Sequence, residues 1–182
     1  MLCGPPALQN WWWHRFHNGP MKHVEPTTTS KDSQTPRARL DEGALRQLLG
    51  YQLAQASIVT NSAFSHETGK PLALGQVEFT LLYLIKQNTS VTASRLARAL
   101  AVSMPAITVW MAKLEQRGLV SRQRSATDKR SQHFGVTDEG AALVTRAMTA
   151  LLEADARLLA HLSQAERAML LELLHKVALH RP

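Results

Sequence analysis

Apolar side chains recur at spacings of three and four along most of the chain after residue 40, which is the pattern of amphipathic helices. The first such segment, "LDEGALRQLLGYQLAQASIVTNSAF", begins at Leu40, and Asp41 and Glu42 suit the positive N-terminal end of a helix. Its apolar stripe consists of Leu45, Leu48, Leu49, Leu53, Ala56 and Val59. The segment "HETGKP", with Gly69 and Pro71, is predicted to end this helix, and a second helix follows in "GQVEFTLLYLIKQ".

Two short helices with a tight turn between them come next. The first, "TASRLARAL", has an apolar side and is followed by the turn "AVS". Ser103 suits the N-cap of the second helix, and Pro105 lies in its first turn, where the missing N–H costs nothing. Gly118 suits the C-terminal end of that helix. A helix, a three-residue turn and another helix predict a helix-turn-helix.

Alternation with a period of two marks the next two segments, "LVSRQR" and "SQHFGVT", as strands, and "SATD" between them is typical of a turn. Thr137 then suits the N-cap of a long helix from about Asp138 to Ala160. Ser163 and Glu166 form the S-x-x-E capping box of a last helix. The sequence therefore predicts a mainly α fold in which a helix-turn-helix is followed by a two-stranded β wing.

Residues 1–40 have no hydrophobic period, and "TTTSKDSQTPRAR" is rich in Thr, Ser and Pro, so we expect a disordered N-terminal tail. The cluster "NWWWHRFHNGP" is compatible with a membrane-interface anchor, a partner-binding patch or a segment with no fold of its own. Met21 is an alternative start to Met1, and the sequence does not choose between them.

Positive charge is concentrated in one segment of the chain. The 182 residues have a formal net charge of +7, and residues 93–137 hold eight Lys or Arg against two acidic residues. Such a segment is typical of a surface that binds a polyanion, although a solvated basic face without a partner has the same composition.

Several other classes of protein are not favoured. No apolar run is long enough to span a membrane, and the start of the chain does not resemble a signal peptide, so we expect a cytoplasmic protein. The single Cys3 cannot form an internal disulfide, and His14 and His17 have no second pair of ligands, so no metal or cofactor is expected. A glycine-rich phosphate loop and a paired nucleophile and base are also missing, which argues against an enzyme.

The predicted elements form a candidate interface for double-stranded DNA. The second helix of a helix-turn-helix fits the major groove, and a basic hairpin reaches the phosphates and the neighbouring minor groove. Lys113, near the end of that helix, is expected to reach a phosphate. The candidate DNA-binding residues are Ser103, Met104, Pro105, Ala106, Thr108, Val109, Lys113, Arg122, Arg124, Asp128, Lys129 and Arg130.

From about residue 42 to residue 180 the chain resembles the MarR family of bacterial transcription regulators. The resemblance rests on the spacing of Leu81, Leu82 and Leu84, on "SRLARALAVSMPAITVWMAKLEQRGLVSR" and on "TDKRSQHFGVTDEG". The family's D-x-R wing motif falls on Asp128, Lys129 and Arg130, and its LE-x-x-GL motif falls on Leu114, Glu115, Gly118 and Leu119. Val136, Thr137 and Gly140 match its LT-x-x-G motif.

Two positions depart from the family pattern. Val109 stands where a basic residue is common, which reduces the capacity of the helix for hydrogen bonding to bases. Trp110 stands where a smaller aliphatic side chain is common, and we expect it to lie in the core.

The resemblance implies a division of residues 41–182 into a winged helix-turn-helix lobe, residues 75–137, and dimerisation helices in residues 41–65 and 138–182. It implies a homodimer on an inverted-repeat operator, acting as a repressor that a small aromatic or phenolic effector releases. The Leu- and Ala-rich surface of the last two helices independently favours a dimer. The alternative is a winged-helix module that binds DNA non-specifically or mediates protein contacts.

Overall fold

The computed structural model describes residues 34–124 and 132–180, with eight regular helices and strands in those ranges. The elements are α1 (Leu49–Phe64), α2 (Gln76–Gln87), α3 (Ala93–Leu100), α4 (Met104–Gln116), β1 (Val120–Arg124), β2 (Gln132–Val136), α5 (Asp138–Leu158) and α6 (Gln164–Leu179). A mainly helical chain with a two-stranded antiparallel sheet confirms the predicted fold class. The contacts divide the chain into two compact units between Ala54 and Gln55.

The first unit departs from the predicted helix at its start. Regular α-helix begins at Leu49 and not at Leu40, and a short 3-10 helix, Gly43–Gln47, precedes it. Two backbone conformations account for the later start of the α-helix: Gly43 has φ +48°, and Leu48 is extended with ψ 116°. Glu42 stabilises this segment by accepting a 2.8 Å hydrogen bond from the hydroxyl of Tyr51.

In the second unit the end of α1 also departs from the prediction. The chain does not leave the helix at "HETG" but widens into a π-helical turn, Ser65–Gly69, directly after Phe64. The π-helical turn ends at Gly69, although Lys70, directly before Pro71, still has the αR conformation with φ −73° and ψ −52°. The left-handed conformation follows at Ala73, which has φ +47°. Arg157 of α5 holds this turn through a 2.7 Å ion pair between its Nη2 and Oε1 of Glu67.

The core of the second unit lies between α2, α3, α4, the sheet and α5. It includes the buried side chains Leu81, Leu82, Ile85, Leu96, Ile107, Met111, Leu114, Phe134, Val144 and Ala147. Phe134 attaches the sheet to the segment between α2 and α3, since its N–H donates to the carbonyl of Val91 at 2.8 Å. Trp110 is half-buried and packs against this core, as the sequence predicts.

The last helix, α6, differs from the others because no residue in it is buried. Its capping box is formed as predicted: Ser163 Oγ accepts from the N–H of Glu166, and a carboxylate oxygen of Glu166 accepts from the N–H of Ser163. The large apolar side chains exposed on α6 are Met169, Leu170, Leu171, Leu173, Val177 and Leu179. Among the described residues, no helix is both long and apolar enough to cross a bilayer.

The end of α4 and the start of α5 meet at the base of the sheet, and we call this the wing junction: Gly118, Leu119, Thr137 and Gly140. Thr137 donates from its N–H to Leu119 O at 3.1 Å and from its hydroxyl to Gly118 O at 2.8 Å. The same hydroxyl oxygen accepts from the N–H of Gly140 at 3.1 Å and so caps α5. The N-cap predicted at Thr137 is therefore confirmed, and it also joins the two helices.

Candidate nucleic-acid interface

The tight turn between α3 and α4 fixes the position of α4. Ala101 ends α3 in the left-handed conformation, with φ 53° and ψ 42°, and the N–H of Val102 donates to Ala97 O at 3.0 Å. Ser103 Oγ then accepts from the N–H of Ala106 at 3.4 Å and caps α4. These local bonds, predicted in part from Ser103 and Pro105, produce the helix-turn-helix. We call α4 the recognition helix.

One face of the recognition helix is anchored in the core and the other is open to solvent. Ile107, Met111 and Leu114 are buried. On the outer face, Ser103, Met104, Pro105, Thr108, Val109 and Lys113 are exposed, and Ala106 is half-buried. Val109 is the most open of the large apolar side chains on this helix, with 67% of its surface exposed. The structure thus brings the predicted residues of α4 to one surface.

Lys113 has a partner that the sequence reasoning missed. Its Nζ lies 2.5 Å from Oε1 of Glu78 in α2, while Nη1 of Arg117 lies 3.2 Å from Oε2 of the same carboxylate. Arg117 also donates to Ala73 O at 2.8 Å, and the N–H of Gly75 donates to Glu78 at 2.9 Å. Lys113 therefore helps to hold the recognition helix against α2, while its side chain remains 59% exposed and its phosphate contact stays a prediction.

Glu78 is buried, with 3% of its surface exposed. Burial raises the pKa of its carboxyl, but the hydrogen bonds from Lys113 and Gly75 and the charges of Lys113 and Arg117 outweigh that effect. The net pKa of Glu78 is lowered, so the carboxylate is charged and paired. A signal for this site was present in the sequence, because Glu78 is the only acidic residue in α2, stands between Val77 and Phe79, and occupies the third position of the helix.

Arg122 of β1 is also held by neighbours on the protein. Its Nε lies 2.5 Å from Oε1 of Glu115, its Nη1 donates to Gln132 at 3.1 Å, and its Cζ lies 5.5 Å from the centroid of the Phe134 ring. The hydrogen bond that Arg122 donates to Glu115 raises the pKa of Arg122. The guanidinium is thus fixed at the root of the wing between the sheet and the recognition helix.

The two strands of the wing pair in register from Val120 opposite Val136 to Arg124 opposite Gln132. Arg124 is placed by this pairing, although its side chain lies outside the described structure. Asp128, Lys129 and Arg130, the three residues of the predicted wing motif, lie outside the described residues. Their contact with DNA stays a prediction.

Two further basic residues are exposed on α3, Arg95 and Arg98, outside the set that the sequence singled out. Arg95 Nη1 donates to the carbonyls of Thr89 and Ser90, at 3.1 and 2.9 Å, which orients this side chain at the N-terminal end of α3. In the described part of the chain, no group of three or more His, Cys, Asp or Glu side chains is arranged to hold a metal ion.

Comparison with known proteins finds the same fold and pattern. The family model described as "MarR family" matches residues 74–132. The HTH-type transcriptional repressor Rv2887 of Mycobacterium tuberculosis is 33% identical over 129 residues, which are 71% of this chain and 92% of the relative.

Solved structures agree with this comparison. The transcriptional repressor CouR bound to a 23-mer DNA duplex is 32% identical, with a TM-score of 0.71 over 78% of this chain and 99% of CouR. The M. tuberculosis MarR family protein Rv2887 in complex with salicylic acid is 32% identical, with a TM-score of 0.59 over 71% of this chain and 96% of that one.

Proposed function

The chain belongs to the MarR family of transcriptional regulators, and we propose that it is a dimeric, sequence-specific DNA-binding repressor. The observation that carries the proposal is the exposed outer face of the recognition helix, since this element enters the major groove in helix-turn-helix proteins. The packed helix α3 adds the exposed Arg95 and Arg98, whose charges suit phosphate contacts. The complex of CouR with a DNA duplex supports the same proposal.

The exposed apolar side chains of α6 support a dimer. A helix with no buried residue and six large exposed apolar side chains is unstable in water unless another surface covers it. A second copy of the chain is a suitable cover, because a twofold dimer buries the same patch on both subunits. Such a dimer carries two recognition helices, so the proposed operator is an inverted repeat with half-sites about one DNA turn apart.

Replacing Leu171 with Glu should convert the dimer to a monomer. Leu171 is 64% exposed in the single chain. A carboxylate that is buried at an apolar contact loses its hydration, and this cost opposes association of the two subunits. Light scattering coupled to size exclusion measures the mass directly. The matched control is Lys176→Glu, which places a carboxylate at an exposed polar position about 140° around the same helix from Leu171. A dimer that persists in Leu171→Glu, or a wild-type monomer, contradicts the proposed interface.

We further propose that a small aromatic acid releases the DNA. The relative solved with salicylic acid supports this class of effector. A cavity of about 310 Å³ lies beside the start of α5, at the lower end of the size range of ligand pockets. Its lining residues are Leu72, Arg117, Leu119, Glu139, Ala142, Leu143 and Arg146. The guanidinium of Arg146 suits a carboxylate, whereas that of Arg117 is already paired with Glu78, and the leucines suit a ring. An effector that binds more tightly to an arrangement incompatible with DNA lowers the DNA affinity by the ratio of its two affinities.

The first experiment is a fluorescence anisotropy titration of the protein with DNA from upstream of its own gene, in excess unrelated DNA and at two salt concentrations. Binding that survives the competitor supports a specific regulator, and its reversal by added salicylate supports the effector. Binding that disappears with competitor or modest salt leaves only the electrostatic component. The alternative, a winged-helix module for non-specific DNA binding or protein contacts, then takes precedence.

In the same assay, Arg130→Ala should weaken binding and reduce the slope of log affinity against log salt by about one for each subunit, about two for the proposed dimer, because each subunit loses one phosphate contact. The control is Lys70→Ala, which removes an exposed cation outside the winged lobe and should leave the slope unchanged. Unchanged binding by Arg130→Ala, with the fold intact, argues against a wing that contacts DNA.

A further inference from the structure

The recognition helix has an outer face with almost no hydrogen-bonding capacity. Its sequence, "MPAITVWMAKLEQ", contains no Arg, Asn or Gln before Gln116, and these are the side chains that read bases with paired hydrogen bonds. Lys113 is engaged by Glu78. The hydroxyl of Thr108 donates to Met104 O at 3.0 Å, so it retains only acceptor capacity. Polar readout of bases from the start of the helix is therefore limited to the hydroxyl of Ser103 and the acceptor oxygen of Thr108.

What this face offers instead is methyl and methylene groups. Pro105 and Val109 are one helical turn apart and therefore lie on the same side, with Ala112 three residues further on. Val109 is 67% exposed and Met104 is 45% exposed, so both present apolar surface at the N-terminal half of the helix. In the major groove, the one apolar group on a base edge is the C5-methyl of thymine.

We propose that this chain selects its operator by apolar contact between thymine methyl groups and the recognition helix, with Val109 as the main specificity-determining residue and Met104 as its neighbour. The inference rests on the proposed function, since it presumes that the recognition helix enters the major groove. Exposed cations on the winged lobe, Arg95 and Arg98 on α3 and Arg122 beside Thr108, favour a polyanion over an apolar protein as the occupant of this face. Each half-site accordingly contains a thymine opposite Val109.

The test compares two versions of one upstream DNA fragment, one with thymine and one with deoxyuridine at every thymine position. Deoxyuridine keeps the base pairing and removes only the methyl group. Wild-type protein should bind the deoxyuridine fragment about fourfold more weakly for each buried methyl lost, and a dimer loses at least two. The Val109→Ala variant should bind the thymine fragment more weakly and should discriminate little between the two fragments.

The two proteins and two DNAs form a double-mutant cycle, so any general effect of deoxyuridine on DNA shape cancels. The matched control is Val109→Ile, which keeps an apolar tip and should retain the discrimination. Because Val109 is exposed, these variants should melt like the wild type, and a thermal melt verifies this.

The outcomes separate this proposal from the proposed function. If neither fragment is bound in the presence of competitor, the proposed function fails. If the wild type binds both fragments equally well, or if Val109→Ala loses as much affinity as the wild type on removal of the methyls, DNA binding stands and the role of Val109 is overturned. The proposal is supported if removal of the thymine methyl groups weakens binding by the wild type and weakens binding by Val109→Ala much less.

Discussion

Replacing Gly140 with alanine should lower the free energy of unfolding by about 3 kcal/mol or more, a large share of the stability of a typical domain. A Cβ at this position would overlap the carbonyl oxygen of Leu119 and lie 2.9 Å from Cγ2 of Val136. Neither group has room to move, because Leu119 is bonded within the wing junction and its backbone continues into β1. In an open helix the same change usually stabilises by up to about 1 kcal/mol, so the expected sign is reversed here.

Urea denaturation followed by circular dichroism measures this loss. The matched control is Gly135→Ala, where the closest atom to an added Cβ is Nε2 of the Gln123 side chain, at 2.9 Å. That side chain can rotate away, so the cost should be well under the cost at Gly140. Similar stabilities of the two variants would mean that α5 can separate from Leu119 at little cost, contrary to the packing described above.

The Glu78→Gln variant should lose about 2 kcal/mol of stability near pH 7, because hydrogen bonds to a charged group contribute about 1.5–3 kcal/mol each and glutamine leaves two cations without their shared anion. The folded pKa of Glu78 is lowered, so its contribution is fully present above the ordinary pKa of about 4.3. That contribution disappears as the pH falls through the folded pKa. The difference between wild type and variant should therefore be large near neutrality and small in acid.

Denaturation curves at several pH values test both the size and the sign of this effect. Glu67→Gln is the matched control: its carboxylate also pairs with an arginine, Arg157, but both side chains are largely exposed. Exposed pairs contribute about 1 kcal/mol or less, so this variant should remain close to the wild type. A Glu78→Gln deficit that grows toward acid pH would contradict the assigned charge state.

The features of this fold that depend on local chemistry could be read from the sequence. Ser103, Thr137 and Ser163 each accept a hydrogen bond from a backbone N–H in the first turn of the following helix, and each was identifiable from residue type and spacing. Gly118 has φ +69°, as a glycine at a helix end should. The order of elements in the winged lobe follows from these short-range signals.

Features that depend on distant partners could not be read in this way. The 35-residue separation of Glu78 and Lys113 gave no indication that they pair, and the sequence reasoning assigned Lys113 to phosphate. The helix across "HETG" continued as a π-helical turn, where Gly69 and Pro71 had indicated a break, because contacts with α5 hold it. The wing motif at Asp128, Lys129 and Arg130 remains a prediction from sequence.

The wing junction gives α5 a mechanical role. Thr137 and Gly140 fasten the first turn of α5 to the backbone that ends the recognition helix, so the two helices must turn together about this point. The 21 residues of α5 extend for about 31 Å from that pivot. A rotation of about 5° at the pivot moves the far end of such a lever by nearly 3 Å, about half of one helical pitch. A small rotation at the wing junction therefore produces a larger displacement at the far end of α5, and any surface packed against that end has to follow it.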